Sequence, residues 1–566
     1  MNRRSKPLSI LILLLMSGIS GAEMGAKHEV RLVLQITVDQ LRGDLPGRVL
    51  DRLEPGGFRY LFEEGIHYTN AHYQHANTET IVGHATLATG AHPSDHGMVG
   101  NVWLDRGTGE LTYNVEDAGF PLLTAGAGVD EATEIDPTQK AASTQGRSPR
   151  AMLVSTFSDE LAIHTAGRAK IFGVSVKDRG AISLAGHAGK AFWFSKSLGE
   201  FVTSRYYYHR YPAWLEAWNA EQRPRRYDGK AWELSKPVET YAAGSADDRE
   251  WEVDFPGYGR VFPHAYGDAE GKYFNTLLTL SPAGDDLTRE LAEAVLVNEG
   301  LGQDEIPDFL SVSFSSTDYV GHFFGPASLE AEDNLLRLDR TLAGLLAFVD
   351  ETVGLDHTLV VLSADHGGPE VPGYLSSLGL EADYVDPDSW DRTPGLAALK
   401  EKFGISEELI TTYFHPYIYL DLELLEKKNL HPAEVASAVA AELLKLDGVS
   451  AAVSSYDLAV GRVANTSRMR SILNNYHPKR SGDIFVVFEP HRFINEFDGL
   501  AVASTHGSPW SYDTFVPILF AGPGVESQVI HRSVAPTGIA STLAAYLGFK
   551  KPSGAVGDVL VEVLRD

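Results

Sequence analysis

The sequence predicts a largely parallel α/β sheet flanked by helices. Three observations carry that expectation. Several near-continuous apolar runs read as strands covered on both faces. Helical patterns lie between them, the alternation expected of a parallel sheet. The apolar runs stop abruptly at polar clusters, and open α/β sheets bind ligands beyond the carboxyl ends of their strands.

The elements follow in chain order. Arg3, Arg4 and Lys6, the apolar run Leu8–Met16 and the small residues Ser20-Gly21-Ala22 form the three-part secretory signal pattern, so 1–22 is expected to be cleaved. No other stretch approaches the ~20 apolar residues of a membrane-spanning helix. Residues 23–566 are expected to form a single catalytic domain in the periplasm or secreted medium. Val30–Val38 reads as its first strand and ends at Asp39. A helical pattern over Met152–Ala166 precedes a strand over Ala169–Val176, which ends at Lys177-Asp178-Arg179. Residues of about 190–285 lose the alternation; they hold five of the eight tryptophans and Tyr206-Tyr207-Tyr208, and read as an aromatic-rich insertion. Phe309–Phe314 opens into Ser315-Ser316-Thr317-Asp318. Leu329–Val353 is helical, with Ser328 as N-cap, acidic residues in its first turns and Gly354 as its stop. Thr358–Leu362 ends at Ser363-Ala364-Asp365-His366. A small α+β cap is expected over about 370–500, with strands at Tyr417–Leu420, Val449–Val453 and Asp483–Phe488 and a helix from about 432 to 445.

Composition narrows the chemistry. The 566 residues carry a formal charge of −28 and contain no cysteine. Disulfides, thiolate metal sites, iron–sulfur clusters and cysteine nucleophiles are thereby excluded. A strongly acidic chain is a poor partner for a nucleic-acid backbone.

The polar clusters suggest a metal centre. Asp318-x-x-x-His322 puts a carboxylate and an imidazole on one face of a helical turn. Asp365-His366 is a second pair directly after a strand. His506 lies in Ser504-Thr505-His506-Gly507-Ser508, and Asp39 ends the first strand. Each alone has an ordinary structural reading as a cap or a buried histidine. Together they bring three aspartates and three histidines to one sheet edge, a donor set suited to two borderline divalent metals such as zinc. A two-metal site can clamp both the attacking and the leaving oxygen of a phosphoryl transfer. For the nucleophile, Asn77-Thr78-Glu79-Thr80-Ile81-Val82-Gly83-His84 begins a helix near Thr80, whose hydroxyl would feel the positive end of the helix dipole. From the residues alone Thr80 reads sooner as a plain N-cap, and Thr78 is the competing hydroxyl.

Thr80-Ile-Val-Gly-His, the following Thr89-Gly-x-x-Pro93-x-x-His96-Gly, Asp318-x-x-Gly-His322, Asp365-His366-Gly367 and Thr505-His506-Gly507 together resemble the alkaline phosphatase superfamily, in particular its nucleotide pyrophosphatase/phosphodiesterase branch. The resemblance implies an alkaline-phosphatase-like core. It makes Thr80 the nucleophile, with Asp39, Thr80, Asp365 and His366 on one zinc ion and Asp318, His322 and His506 on the other. Gly100-Asn101-Val102-Trp103 and Val176-Lys177-Asp178-Arg179-Gly180 are similar to the phosphate-irrepressible alkaline phosphatases, where the Asn, Lys and Arg contact phosphoryl oxygens. A monoester dianion offers three free oxygens, so Asn101, Lys177 and Arg179 suit it better than a diester monoanion. Without the resemblance, Lys177 and Arg179 read as a solvated loop pair with Asp178. Ile81-Val82-Gly83 stands where the diesterase branch often has Phe-Pro-Asn.

The expected function is therefore a zinc-dependent phosphomonoesterase with two Zn²⁺ per chain and a phospho-threonine intermediate. Its expected partners are small phosphate monoesters, with no nucleic-acid surface and no membrane anchor after cleavage, and its expected state is a monomer. The rivals are a phosphodiesterase or nucleotide pyrophosphatase with the same metals, and a non-catalytic periplasmic metal or phosphate binder. A sulfatase is disfavoured, because no cysteine can become formylglycine and no serine has the required context.

Overall fold

The apolar run that ends at Asp39 forms strand β1, Leu32–Val38, and every residue in it is buried. The structure, a computed structural model, describes residues 29–244, 247–497 and 500–564. The segment read as a signal, 1–22, lies outside them.

The other strands of the main sheet are β2 (Ile66–His72), β3 (Ile171–Ser175), β4 (Lys190–Ser195), β5 (Glu200–Val202), β6 (Asp308–Phe314), β7 (Thr358–Ser363), β8 (Phe515–Ala521) and β9 (Gln528–Ile530). Their order is β9-β2-β8-β7-β1-β6-β3-β4-β5. From β7 across to β4 every pairing is parallel, and β8 joins antiparallel to both of its neighbours. This is the mixed α/β architecture with a largely parallel sheet that the sequence predicts.

Seven helices matter for the site and its support: α1 (Thr80–Thr89), α2 (Phe157–His164), α3 (Asp178–Ala185), α4 (Pro282–Asn298), α5 (Ser316–Phe324), α6 (Leu329–Thr352) and α7 (Gly538–Leu547). Side chains alternate across a strand, and β1 shows it. Leu32, Leu34, Ile36 and Val38 pack with Leu287 and Leu291 of α4 and Leu338 and Leu342 of α6. Val33 faces the opposite layer, with Leu87 of α1 and Ile539 and Leu543 of α7. Burial of these faces, at roughly 25 cal/mol per Å² of apolar surface, is what holds the sheet edge in place.

The boundaries differ where local capping outweighs hydrophobic pattern. Ser328 Oγ accepts from the Ala331 amide at 3.0 Å, so α6 begins where expected. The helix read over 152–166 begins only at Phe157, because Thr156 and Asp159 form a reciprocal capping box there. The aromatic stretch of about 190–285 starts as sheet: β4 and β5 lie in residues 190–202. Beyond them Leu215, Trp218, Trp232, Phe255 and Tyr258 join the core on the α4–α6 side of the sheet, so these aromatics are packing material. Within 370–500 a second, antiparallel sheet runs in the order Ile410–Phe414, Tyr417–Leu420, Ile484–Phe488, Val449–Ser454. The helix Pro432–Leu443 covers it, with a hydrophobic cluster of its own. Among the described residues no helix is long and apolar enough to cross a membrane.

Candidate active site

Four neighbouring parallel strands deliver polar groups from their carboxyl ends. β1 leads to Asp39 and Gln40, β3 to Lys177 and α3, β6 to α5 with Asp318 and His322, and β7 to Asp365 and His366. The segment returning from the second sheet to β8 adds His506.

Three imidazoles are held in one tautomer. His322 Nδ1 lies 2.8 Å from the Ser504 carbonyl, His506 Nδ1 2.8 Å from the Thr78 carbonyl and His366 Nδ1 2.9 Å from the Gly367 carbonyl. A carbonyl can only accept, so each Nδ1 carries a proton and each Nε2 is the ring atom left to face the carboxylates or a cation. His322 and His506 turn Nε2 toward Asp318 Oδ1, at 3.2 and 3.4 Å. His366 Nε2 lies 3.5 Å from Asp39 Oδ1 and 3.5 Å from Asp365 Oδ2. The His366 and His506 rings stack with centroids 3.6 Å apart. Burial pushes His366 down to about 3, so its imidazole is neutral at neutral pH.

Two donor groups result, each with its ligand atoms within 4.8 Å of one another: Asp318, His322 and His506, and Asp39, Asp318 and His366. The first is the trio expected from sequence. In the second, Asp318 stands where Asp365 was expected. Asp365 Oδ1 is taken by the amides of Gln40 at 3.1 Å and His366 at 3.0 Å. Its Oδ2 lies 3.0 Å from His84 Nδ1, a nitrogen that also faces the Thr80 carbonyl at 2.9 Å. The buried atoms Asp39 Oδ1 and His366 Nε2 have no hydrogen-bond partner. Unpartnered buried acceptors are costly, and together with imidazole and carboxylate donors they fit borderline divalent cations. Burial and the charges of Asp318 and Asp365 push the Asp39 carboxyl well up. Burial acts the same way on Asp318, but His322 and Lys177 outweigh it and hold that carboxyl well down.

The hydroxyls separate cleanly. Glu79, not Thr80, is the N-cap of α1, and it makes no side-chain cap. Asn101 Oδ1 accepts from the Ile81 amide at 3.1 Å, in the first turn. Thr80 is thus free of a capping duty, and its Oγ1 lies 3.4 Å from Arg179 Nη2. Thr78 Oγ1 instead donates to the Ser508 carbonyl at 3.0 Å.

The solvated-loop reading of Lys177 and Arg179 does not hold: they are 0% and 3% exposed. Arg179 Nη1 donates to Asp136 Oδ2 at 2.7 Å. Asp178 is fixed by Tyr113 Oη at 2.5 Å and Arg147 Nε at 2.6 Å. Lys177 Nζ sits inside the carboxylate cluster, 2.7 Å from Asp39 Oδ2 and in contact with Asp318 Oδ2. A cavity of about 70 Å³, lined by Thr80, Asn101, Asp136, Arg179, Asp318 and His506 among others, opens at this point.

The family profile of type I phosphodiesterases/nucleotide pyrophosphatases matches residues 33–509. The chain belongs to that family. Alkaline phosphatase PafA of Elizabethkingia meningoseptica is 33% identical over 560 residues, 98% of each chain. Alkaline phosphatase PhoV of Synechococcus elongatus is 32% identical, covering 94% of this chain and 93% of PhoV. A Myroides odoratus protein named calcium-transporting ATPase is 33% identical over 94% of this chain and 95% of its own. The crystal structure of wild-type PafA superposes with a TM-score of 0.84 at 31% identity, covering 94% of this chain and 99% of PafA.

Two glycines in the motifs of this phosphodiesterase family have a steric reason here. A Cβ on Gly83 would stand 1.9 Å from the Asp365 carbonyl oxygen, so α1 can lie against the Asp365 backbone only without a side chain. A Cβ on Gly321 would stand 1.7 Å from Gln40 Oε1. Gln40 itself escaped the sequence reading, yet its backbone amide holds Asp365 and its Nε2 holds Asp318, the aspartate shared by both donor groups, at 3.0 Å. Its position beside Asp39 was the only signal. Asp136 and Glu79 were also missed. Glu79 Oε2 accepts from the Asn101 amide at 2.8 Å and from Asn77 Nδ2 at 2.9 Å, and burial pushes its carboxyl up to about 7.

Proposed function

We propose that the chain is a secreted zinc-dependent phosphatase that hydrolyses small phosphate monoesters through a phospho-threonine intermediate. The observation that carries this reading is the Arg179 guanidinium, anchored on Asp136 and lying 3.4 Å from the Thr80 hydroxyl. A buried cation beside the nucleophile suits a phosphoryl group with two negative charges. The names of PafA and PhoV agree with a phosphatase.

Asp39, Thr80, Asp365 and His366 would hold one zinc ion, and Asp318, His322 and His506 the other, with Asp318 within reach of both. Bound zinc supplies Lewis-acid charge that favours the alkoxide of Thr80 and screens charge developing on oxygen. The rest is the work of the chain's own groups. Arg179, Asn101 through Nδ2, and Lys177 bind the unesterified phosphoryl oxygens and stay on them in the transition state. Thr80 Oγ1 attacks phosphorus, the ester P–O bond breaks and the alcohol leaves. Water then attacks the phosphothreonine phosphorus, Thr80 Oγ1 is the leaving group, and inorganic phosphate is released.

A phosphodiesterase is the second reading, favoured by the description of the family itself. Purified zinc-loaded protein assayed on p-nitrophenyl phosphate, ATP and bis-p-nitrophenyl phosphate separates the two. A higher kcat/KM for the diester assigns the diesterase, and a higher value for the monoester supports the phosphatase. Acid-quenched protein carrying phosphate on Thr80 excludes a non-catalytic binder. Export with loss of residues 1–22, one catalytic domain over 23–566 and a monomeric state complete the proposal; intact mass and sedimentation of secreted protein test them.

A further inference from the structure

Lys177 occupies an unexpected place for a residue meant to bind substrate. Its ammonium is wholly buried and bridges two aspartates from different strands, Asp39 after β1 and Asp318 on α5. Those aspartates help make up the two donor groups, and Asp365 brings a third carboxylate beside them. Three carboxylates shut away from water repel one another, and a buried unpaired charge is strongly destabilising. The neighbouring cation Arg179 is already committed to Asp136 at 2.7 Å. Lys177 also lies 4.7 Å from the centroid of the Tyr319 ring, which stabilises a desolvated ammonium from a further side.

We propose that Lys177 is an internal placeholder for metal charge. In the metal-free chain its ammonium holds Asp39 and Asp318 together and keeps the site assembled. Two divalent cations entering the donor groups bring more positive charge than the carboxylates carry negative. They would draw on the same two carboxylates, whose Oδ2 atoms Lys177 holds, and Lys177 would be released. The phosphoryl dianion beside Arg179 and Thr80 is then the nearest acceptor for it. One side chain thereby couples metal loading to completion of the phosphate site. The chemistry favours lysine over arginine here: a compact ammonium on a flexible stem can move between acceptors, whereas a planar fork is fixed by its geometry.

The inference rests on the two-metal reading above, and the test separates the two. Metal content of wild-type protein is measured first; a chain that takes up no zinc overturns the two-metal reading before any variant is compared. Thermal unfolding of wild type, Lys177→Met and Lys177→Gln is then followed in chelator and in excess zinc. The expected result is asymmetric. Both variants lose several degrees of midpoint temperature in chelator and far less in zinc. In competition with a chelating dye they bind zinc at least tenfold more tightly than wild type, because no lysine has to be displaced. Equal losses in chelator and zinc, or failure to fold in zinc as well, make Lys177 an ordinary structural ion pair and overturn the proposal. So does an unchanged midpoint in chelator.

Discussion

Arg179 donates from Nη1 to Asp136 Oδ2 at 2.7 Å, and both side chains are buried. The aspartate is held well below the ordinary carboxylate range, its burial being outweighed by Arg179 and then Lys177, so it stays charged at any working pH. Its other oxygen, Oδ1, accepts from the Thr138 amide at 3.0 Å and caps the short helix Pro137–Lys140. The guanidinium is therefore fixed in position before substrate arrives, the preorganisation that makes a donor effective in a transition state. Asp136→Asn keeps the cap and weakens the hold on Arg179. The expected outcome is a fall in monoester kcat/KM of ~10- to 100-fold and a smaller fall for diesters. Steady-state kinetics on matched esters checks it; an equal loss on both would make the pair a general structural brace.

The two threonines make opposite predictions. Thr80 Oγ1 faces Arg179, and Thr78 Oγ1 is spent on the Ser508 carbonyl. Thr80→Ala should remove at least ~10³-fold of the turnover, while Thr80→Ser retains part of it, since only the hydroxyl reacts. Thr78→Ala should keep the chemistry and lose a little stability. Rapid-quench labelling with a radioactive monoester should leave Thr80→Ala unlabelled.

Much of this site was legible in the sequence, for a physical reason. Strands buried on both faces are mostly apolar, so β1, β6 and β7 stand out, and the polar cluster after each marks the sheet edge. Asp39, Asp318 and Asp365 all fall in those clusters. What escaped depends on contacts between distant segments. Asp136 precedes a proline and reads as a helix cap, which it is; its second oxygen meets an arginine 43 residues away. Gln40 has no special neighbours in the chain, and only the fold brings it to Asp318, 278 residues on. Lys177 was tied to the site by resemblance, but nothing local shows that its ammonium points back into the carboxylates. β4 and β5 were lost inside a run of aromatics, where strand alternation and dense core packing look alike.

One buried carboxyl makes a contribution to stability that should fall as pH rises from acid to neutral. Asp285 on α4 accepts from the Ser316 amide at 3.1 Å at the start of α5, and its Oδ2 has no partner. Burial pushes its carboxyl up from 3.8 to about 7. The folded chain keeps this proton where the unfolded chain has released it. The contribution is therefore complete below the unfolded value and is lost as pH climbs to the folded one, at up to ~1.4 kcal/mol per pH unit. Glu252, pushed up to about 9 by burial and then Glu330, acts in the same direction. Asp285→Asn removes one of these protons. Its unfolding midpoint should decline less than that of wild type between pH 4 and 7, and the two curves should run parallel above pH 8. Parallel curves throughout would show that Asp285 is ionised in the folded chain.

Gly321 gives the sharpest test of how the donor groups are aligned. It lies on α5 between Asp318 and His322, and its missing side chain leaves room for Gln40 Oε1, which an alanine Cβ would meet at 1.7 Å. The helix backbone is packed on the core through Val320 and Phe324 and has little freedom to retreat. The end of the Gln40 side chain is the part that gives way, and Nε2 then leaves Asp318 Oδ1. Asp318 lies in both donor groups, so the loss reaches both. Partners that orient metal ligands are typically worth 10- to 100-fold in affinity, and Gly321→Ala should weaken zinc binding by about that factor. Unfolding of the metal-free protein should change much less, because the clash is relieved by one flexible amide and not by the core. Gln40→Ala in the same background provides the check. If Gln40 carries the effect, alanine at 321 costs little extra affinity once the glutamine is gone. If the two losses add fully, the glycine serves the helix backbone and not the alignment of Asp318.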